Sequence, residues 1–191
     1  GFHKFAVSDG LATVDPASAV KPPTPAKRLP KALPLSDVEA ILEASGAAGM
    51  TGGQAIDLGA VGKPLTLGEL ETMHARKTGA LIRAAVALGA LAADVPEGLR
   101  AGLDDYARNI GLAFQIVDDV LDVEGDTATL GKPQGSDQER AKPTYPALLG
   151  LEPARKLARD CHARALESLA PLGDNGRLLR EIADFVIHRS H

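Results

Sequence analysis

The sequence predicts an all-α protein, and three observations carry that prediction. Aromatic residues make up only 3% of the chain, with no tryptophan and with abundant alanine and leucine. This composition favours helix over sheet. Apolar residues recur at helical spacing: Leu99, Leu103, Tyr106, Ile110, Val117 and Leu121 follow one another in steps of three and four, with one step of seven. No segment alternates apolar and polar residues as a half-buried strand would, and no internal repeat is evident.

Bulk properties narrow the classes. With 191 residues and 45% apolar content, one domain with a real core is the default, and two small ones are possible. A net charge of −4 makes no electrostatic case for nucleic acid. Cys161 is the single cysteine, so there is no disulfide framework, and a reducing, cytoplasmic compartment fits. No run of apolar residues is long enough to span a membrane. Gly1-Phe2-His3-Lys4 is not a signal peptide and lacks a start methionine, which suggests a chain that begins mid-protein.

The elements follow in order. Phe2, Phe5, Ala6 and Leu11 suit the end of a short helix. Residues 15–34 form a basic, proline-rich connector with little helix potential. Ser36-Asp37-Val38-Glu39 reads as an N-cap entering a helix through Leu42. Four glycines between Gly46 and Gly53 read as a strong local break. Thr66 with Glu69 three residues later is a capping box, opening a helix that runs to about Ala92. Pro96 opens the next helix, which runs to about Val123. A polar loop covers Gly125 to Lys142. A short helix near Ala147, one from Pro153 to about Leu169 and one from about Asn175 to His188 complete the chain.

The long helix carries the chemistry. A helix turns about 100° per residue, so Gln115, Asp118, Asp119 and Asp122 share one face. Like charges at these spacings repel, and desolvation strengthens the repulsion if the face lines a cavity. A hard divalent cation such as Mg²⁺ resolves the conflict through carboxylate oxygens. Taken by itself, such a run is more often a solvated acidic face. Lys77-Thr78, in the middle of the preceding helix, reads equally as a lysine snorkelling to solvent or as a cation for a phosphate oxygen. Gly131-Lys132 and Lys142-Pro143-Thr144-Tyr145 bracket the loop after the acidic helix. Together these groups form a carboxylate–Mg²⁺–phosphate–lysine arrangement that balances charge in a dry site.

Those residues stand within longer stretches that carry a resemblance. They are Gly49-Met50-Thr51-Gly52-Gly53-Gln54-Ala55-Ile56-Asp57-Leu58, then His74 with Lys77-Thr78-Gly79-Ala80-Leu81-Ile82. Next come Gly111-Leu112-Ala113-Phe114-Gln115, Asp118-Asp119, Leu121-Asp122 and Gly125-Asp126-Thr127. Leu130-Gly131-Lys132, Gly135, Asp137, Lys142 and Thr144-Tyr145-Pro146-Ala147-Leu148 complete them. On these motifs residues 47–191 resemble the C-terminal half of a short-chain trans-prenyl diphosphate synthase, nearest to the bacterial farnesyl diphosphate synthases.

The resemblance implies an all-α fold, here a partial isoprenoid-synthase helical bundle preceded by a short helix and a proline-rich linker. It implies that Asp118, Asp119 and Asp122 bind Mg²⁺ as the family's second aspartate-rich motif. Lys77, Lys132 and Lys142 would hold the diphosphate of an allylic substrate. Lys77, Thr78 and Gln115 would be the catalytic set, with Thr78 and Gln115 stabilising the allylic cation. The implied reaction condenses that allylic diphosphate with isopentenyl diphosphate, and the implied assembly is a homodimer.

The chain also departs from the family pattern. It shows no counterpart of the family's first aspartate-rich motif, expected upstream of Gly49, and ends Arg189-Ser190-His191 instead of in an Arg-x-Lys tail. Residues 1–46 resemble instead the linker region of a Xer-type tyrosine recombinase, through Phe2-His3-Lys4-Phe5, Asp15-Pro16-Ala17, Pro22-Pro23, Pro25 and Arg28-Leu29-Pro30-Lys31-Ala32-Leu33, followed by Val38-Glu39-Ala40-Ile41-Leu42. The expected organisation is therefore a recombinase-like segment, 1–46, joined to a synthase half, 47–191. The expected activity is an incomplete prenyltransferase, inactive by itself. The alternative is a DNA-associated recombinase remnant without catalytic residues.

Overall fold

The computed structural model describes residues 7–11, 13, 33–124 and 143–190. The chain divides into two compact units, Gly1–Ala32 and Leu33–His191. The proline-rich linker and most of the short helix expected before it lie outside the described residues. So does the polar loop 125–142, with Lys132 and Lys142. Among the described residues there is no strand.

In the second unit, α1 spans Leu35–Ser45. The expected cap at Ser36 is corrected: the cap lies two residues earlier, at Pro34, whose carbonyl accepts from the backbone N–H groups of Asp37 and Val38 at 3.1 and 3.2 Å. Ser36 Oγ donates to Asp37 instead. Helix α2, Met50–Gly59, narrows the reading of the glycine run as a break. The break is present but short: residues 46–49 separate the two helices, with Gly49 as the non-helical cap of α2. Gly52 and Gly53 lie inside the helix, and a Cβ on them would lie 1.9 Å from the Ala47 carbonyl oxygen and 2.2 Å from the Lys77 backbone nitrogen respectively. Glycine was required here by close approach and not by turn geometry.

The capping box stands as read. Thr66 accepts from the Glu69 N–H, and Glu69 accepts from the Thr66 N–H at 2.8 Å. It opens α3, Leu67–His74, which passes through a π-helical turn, Ala75–Gly79, into α4, Ala80–Ala92. Helix α5 spans Glu97–Glu124. Thr144 caps the short α6, Tyr145–Leu149. Helix α7 spans Leu151–Ser168, a 3₁₀ segment follows at Ala170–Gly176, and α8 spans Arg177–His188.

Helix α5 is the axis of the unit. It packs most extensively on α7 and also on α4, α6 and α8. The stripe read from the sequence supplies the buried Leu103, Tyr106, Ile110 and Val117. Ala107 and Ala113 on α5, with Ala154, Ala158 and Ala165 on α7, are buried and let the axes approach. Arg83 on α4 clamps Asp104 on α5 with two hydrogen bonds, at 2.7 and 3.0 Å. Those bonds hold the Asp104 carboxyl below its ordinary pKa. A depressed pKa stabilises the fold above the ordinary carboxylate range, and the contribution is lost as pH falls through the depressed value. Both side chains are more than a third exposed, so solvent screening keeps the contribution small.

Tyr106 ties the last helix to the core, its hydroxyl donating to the Leu179 carbonyl at 2.8 Å. Burial pushes its phenol up to about 12, so it stays a neutral donor at working pH. Tyr106→Phe is expected to cost about 1 kcal/mol in urea unfolding, the net worth of one hydrogen bond. Tyr106→Ala adds a cavity and is expected to cost about 3–5 kcal/mol.

Candidate functional site

The π-helical turn sets the site. An extra residue in one turn displaces the side chains after it, and such bulges favour functional positions. Here the turn contains Lys77 and Thr78. Glycines of the two neighbouring helices lie against it. Gly53 on α2 lies against the Lys77 backbone, and a Cβ at Gly111 on α5 would sit 3.4 Å from Gly79 Cα. The backbones of α2, the turn and α5 thus meet with no side chain between them at these points.

Between these elements lies a cavity of about 400 Å³. Its lining includes Asp57, His74, Lys77, Thr78, Gln115, Asp118, Asp119 and Thr144. Of the residues singled out from the sequence, the structure brings Lys77, Thr78, Gln115, Asp118 and Asp119 onto one surface. Asp122 is buried and does not belong to this lining. A larger cavity, about 620 Å³, lies between α4, the start of α5 and the 3₁₀ segment. Its walls are mostly apolar, and among the described residues Asp94 is the only charged one lining it. Charged groups capable of polar chemistry converge at the smaller one.

Each polar group in the smaller cavity is held. Lys77 Nζ donates to Asp57 Oδ2 at 2.7 Å, with the lysine side chain 30% exposed and the aspartate 5%. The Thr78 hydroxyl donates to Gln115 Oε1, joining the π turn to α5. Asp119 accepts from the Tyr145 backbone N–H at 2.9 Å, so the first residue of α6 braces the acidic helix. Asp118 accepts from Arg189 Nη2 at 2.5 Å. The same guanidinium donates to the Phe114 carbonyl at 3.0 Å and lies 4.1 Å from the centre of the Phe114 ring. His74 stacks on Tyr145, with 5.6 Å between ring centres. Burial, reinforced by the charges of Glu71 and Asp119, pushes the Tyr145 phenol far above its ordinary pKa, so it stays neutral.

Among the described residues, no three His, Cys, Asp or Glu side chains form a ready metal cage. Asp118 and Asp119 offer hard oxygen donors on the cavity wall. Mg²⁺ characteristically takes one or two carboxylates and completes its shell with water and substrate phosphates. The donor set therefore fits Mg²⁺ bound together with an anionic ligand.

Three features escaped the sequence reading. Asp57 stood inside a quoted motif without a role. Arg189 drew notice only as part of an ending that departs from the family's Arg-x-Lys tail, yet it is the cation on Asp118. The π turn leaves no mark in a hydrophobic pattern, although the glycines at 53, 79 and 111 are its trace.

Comparison with known proteins adds a family. The model of the polyprenyl synthetase family matches residues 31–170, starting inside the segment that resembled a recombinase. The farnesyl diphosphate synthase of Escherichia coli is 56% identical over 161 residues, covering 82% of this chain and 54% of that protein. A solved geranyltransferase from Helicobacter pylori, complexed with magnesium and isoprenyl diphosphate, is similar at a TM-score of 0.66 and 34% identity, over 81% of this chain and 52% of the other. A polyprenyl synthase from Caulobacter crescentus, complexed with calcium and isoprenyl diphosphate, gives 0.75 and 28%, over 83% and 60%. The chain spans about half the length of the curated relatives it matches. The recombinase resemblance gains no support from these similarities.

The Gly53 contact makes a direct prediction. Gly53→Ala forces α2 away from the π turn and is expected to cost about 1–3 kcal/mol, as overpacking does. Urea unfolding measures the loss. Because the clash is with Lys77 itself, binding of any anion at the cavity is expected to weaken as well.

Proposed function

Because this chain belongs to the polyprenyl synthetase family, we propose that it carries the diphosphate-ionising half of a prenyltransferase site. The reaction is the condensation of an allylic diphosphate with isopentenyl diphosphate in isoprenoid biosynthesis. The observation that carries this reading is the opposition, across one cavity, of Lys77 and the Asp118–Asp119 pair, with Thr78 and Gln115 on the same lining.

In this reading Lys77 binds oxygens of the allylic diphosphate as a compact point charge. Asp118 and Asp119 hold Mg²⁺, which when bound supplies Lewis-acid stabilisation of the departing diphosphate. The solved relative with magnesium and isoprenyl diphosphate supports the choice of ion and ligand. As the allylic carbon–oxygen bond breaks, the positive charge is met by the oxygens of Thr78 and Gln115, which are already oriented by their mutual hydrogen bond. The isopentenyl double bond then attacks the allylic carbon, and a proton leaves to the released diphosphate. Water must stay out, or it captures the cation. Asp122 as a third ligand, and Lys132 and Lys142 as further diphosphate cations, rest on the resemblance alone. A homodimer in a reducing, cytoplasmic compartment completes the reading.

The chain as given has one aspartate-rich motif where the family pattern has two. Binding without chain elongation is therefore expected. Calorimetry with purified chain, Mg²⁺ and dimethylallyl diphosphate should show binding that Asp118→Ala weakens at least about tenfold, with circular dichroism unchanged. Adding isopentenyl diphosphate should give no longer product. Binding indifferent to both Asp118→Ala and Lys77→Ala would overturn the site. Farnesyl diphosphate formed at enzyme-like rates would overturn the expected lack of turnover.

A further inference from the structure

The ammonium assigned to the substrate already has a buried partner. Asp57 is on α2, twenty residues before Lys77, and reaches it at 2.7 Å. Its side chain is 5% exposed, against 30% for Lys77. Both line the cavity. The contact between them is built in: Gly53, one turn before Asp57 on the same helix, touches the backbone of Lys77 so closely that no other residue fits. Helix α2 is thus registered against the π turn at the point where Asp57 meets the ammonium.

We propose that Asp57 is a positioning residue and internal counter-ion for Lys77, which fixes the ammonium on the cavity wall and makes diphosphate uptake depend on a divalent cation. The proposal rests on the reading of this cavity as a diphosphate site. A lysine ammonium has three donors, and the bond to Asp57 uses one. Two remain for phosphate oxygens, so Asp57 orients the group without blocking it. The same carboxylate offsets the attraction of Lys77 for an anion. Among the described lining residues the charges are Asp57, Asp118 and Asp119 against Lys77, with Arg189 on Asp118. A metal-free diphosphate entering this wall meets net repulsion, which a divalent cation on Asp118 and Asp119 reverses. Thermodynamic linkage then makes anion and cation favour each other's binding.

The test uses the full chain, sodium pyrophosphate as the probe, and calorimetry with and without Mg²⁺. Asp57→Asn keeps a carbonyl oxygen for the Lys77 hydrogen bond and removes the charge. It is expected to bind metal-free pyrophosphate about tenfold more tightly than the unmodified chain, and to gain correspondingly less from Mg²⁺. Asp57→Ala removes the same charge and also the anchor, and is expected to bind less tightly than Asp57→Asn. Lys77→Gln on the Asp57→Asn background is expected to abolish the gain, which a merely structural role for Asp57 would leave unaffected. Equal metal-free affinity in Asp57→Asn and the unmodified chain would overturn the proposal. Asp57→Ala binding as tightly as Asp57→Asn would overturn the positioning role. If no form binds pyrophosphate even with Mg²⁺, the diphosphate reading of the cavity itself fails, and this proposal with it.

Discussion

Lys77 and Thr78 face Gln115 and Asp118 because the π turn is held between α5 on one side and, on the other, an α2 backbone that approaches more closely than a side chain would allow. Gly53 meets the π turn on one side, and Gly79 meets Gly111 on the other. A Cβ at Gly53 would lie 2.2 Å from the Lys77 backbone nitrogen, so any larger residue there must push α2 off the π turn, whereas the Gly79–Gly111 contact is one of ordinary van der Waals distance. Close-packed interiors transmit such a shift and do not absorb it. The polar groups of the cavity are long or flexible, but their starting points are fixed by this contact. The Thr78–Gln115 hydrogen bond and the Lys77–Asp57 ion pair both cross it.

Around that frame the charges are arranged in opposed pairs. Lys77 is matched by Asp57, and Asp118 by Arg189. Asp119 is steadied by a backbone N–H. Adjacent carboxylates on a half-buried helix would otherwise repel at a cost that rises with desolvation. The structure meets that cost with internal counter-ions. On the proposed reading, a metal ion on Asp118 would displace Arg189, while Asp57 keeps its hold on Lys77. Such exchange favours a ligand that brings both signs of charge at once.

Much of the fold was legible because it depends on local signals. The apolar stripe from Leu103 to Val117, the Thr66–Glu69 box and the extent of α5 are all written in periodicity and capping chemistry. The misreadings came where local and tertiary demands coincide on one residue type. Glycines at 52 and 53 look like a break because most exposed glycines are, whereas here they serve packing inside a helix. Ser36 looked like a cap, but Pro34 takes that place. The candidate residues were found as separate groups along the chain: Lys77-Thr78, Gln115 to Asp122, and the lysines 132 and 142 of the following loop. That Lys77, Thr78, Gln115, Asp118 and Asp119 share a wall, and that Asp57 and Arg189 join them, depends on long-range packing for which no spacing rule exists. The helix Leu35–Ser45 packs on α4 within the second unit, so the fold divides earlier than the expected join at residues 46 and 47. That join concerns sequence kinship, which a division of the fold does not test.

The central claim is that one cavity holds a divalent cation and a diphosphate between the α5 aspartates and Lys77. Crystals of the chain soaked with Mn²⁺ and pyrophosphate, measured at the manganese edge, test it directly. The account predicts an anomalous peak within coordination distance of Asp118 and Asp119, with pyrophosphate oxygens bridging from it to Lys77 Nζ. A peak elsewhere on the surface, or pyrophosphate bound away from Lys77, would contradict it.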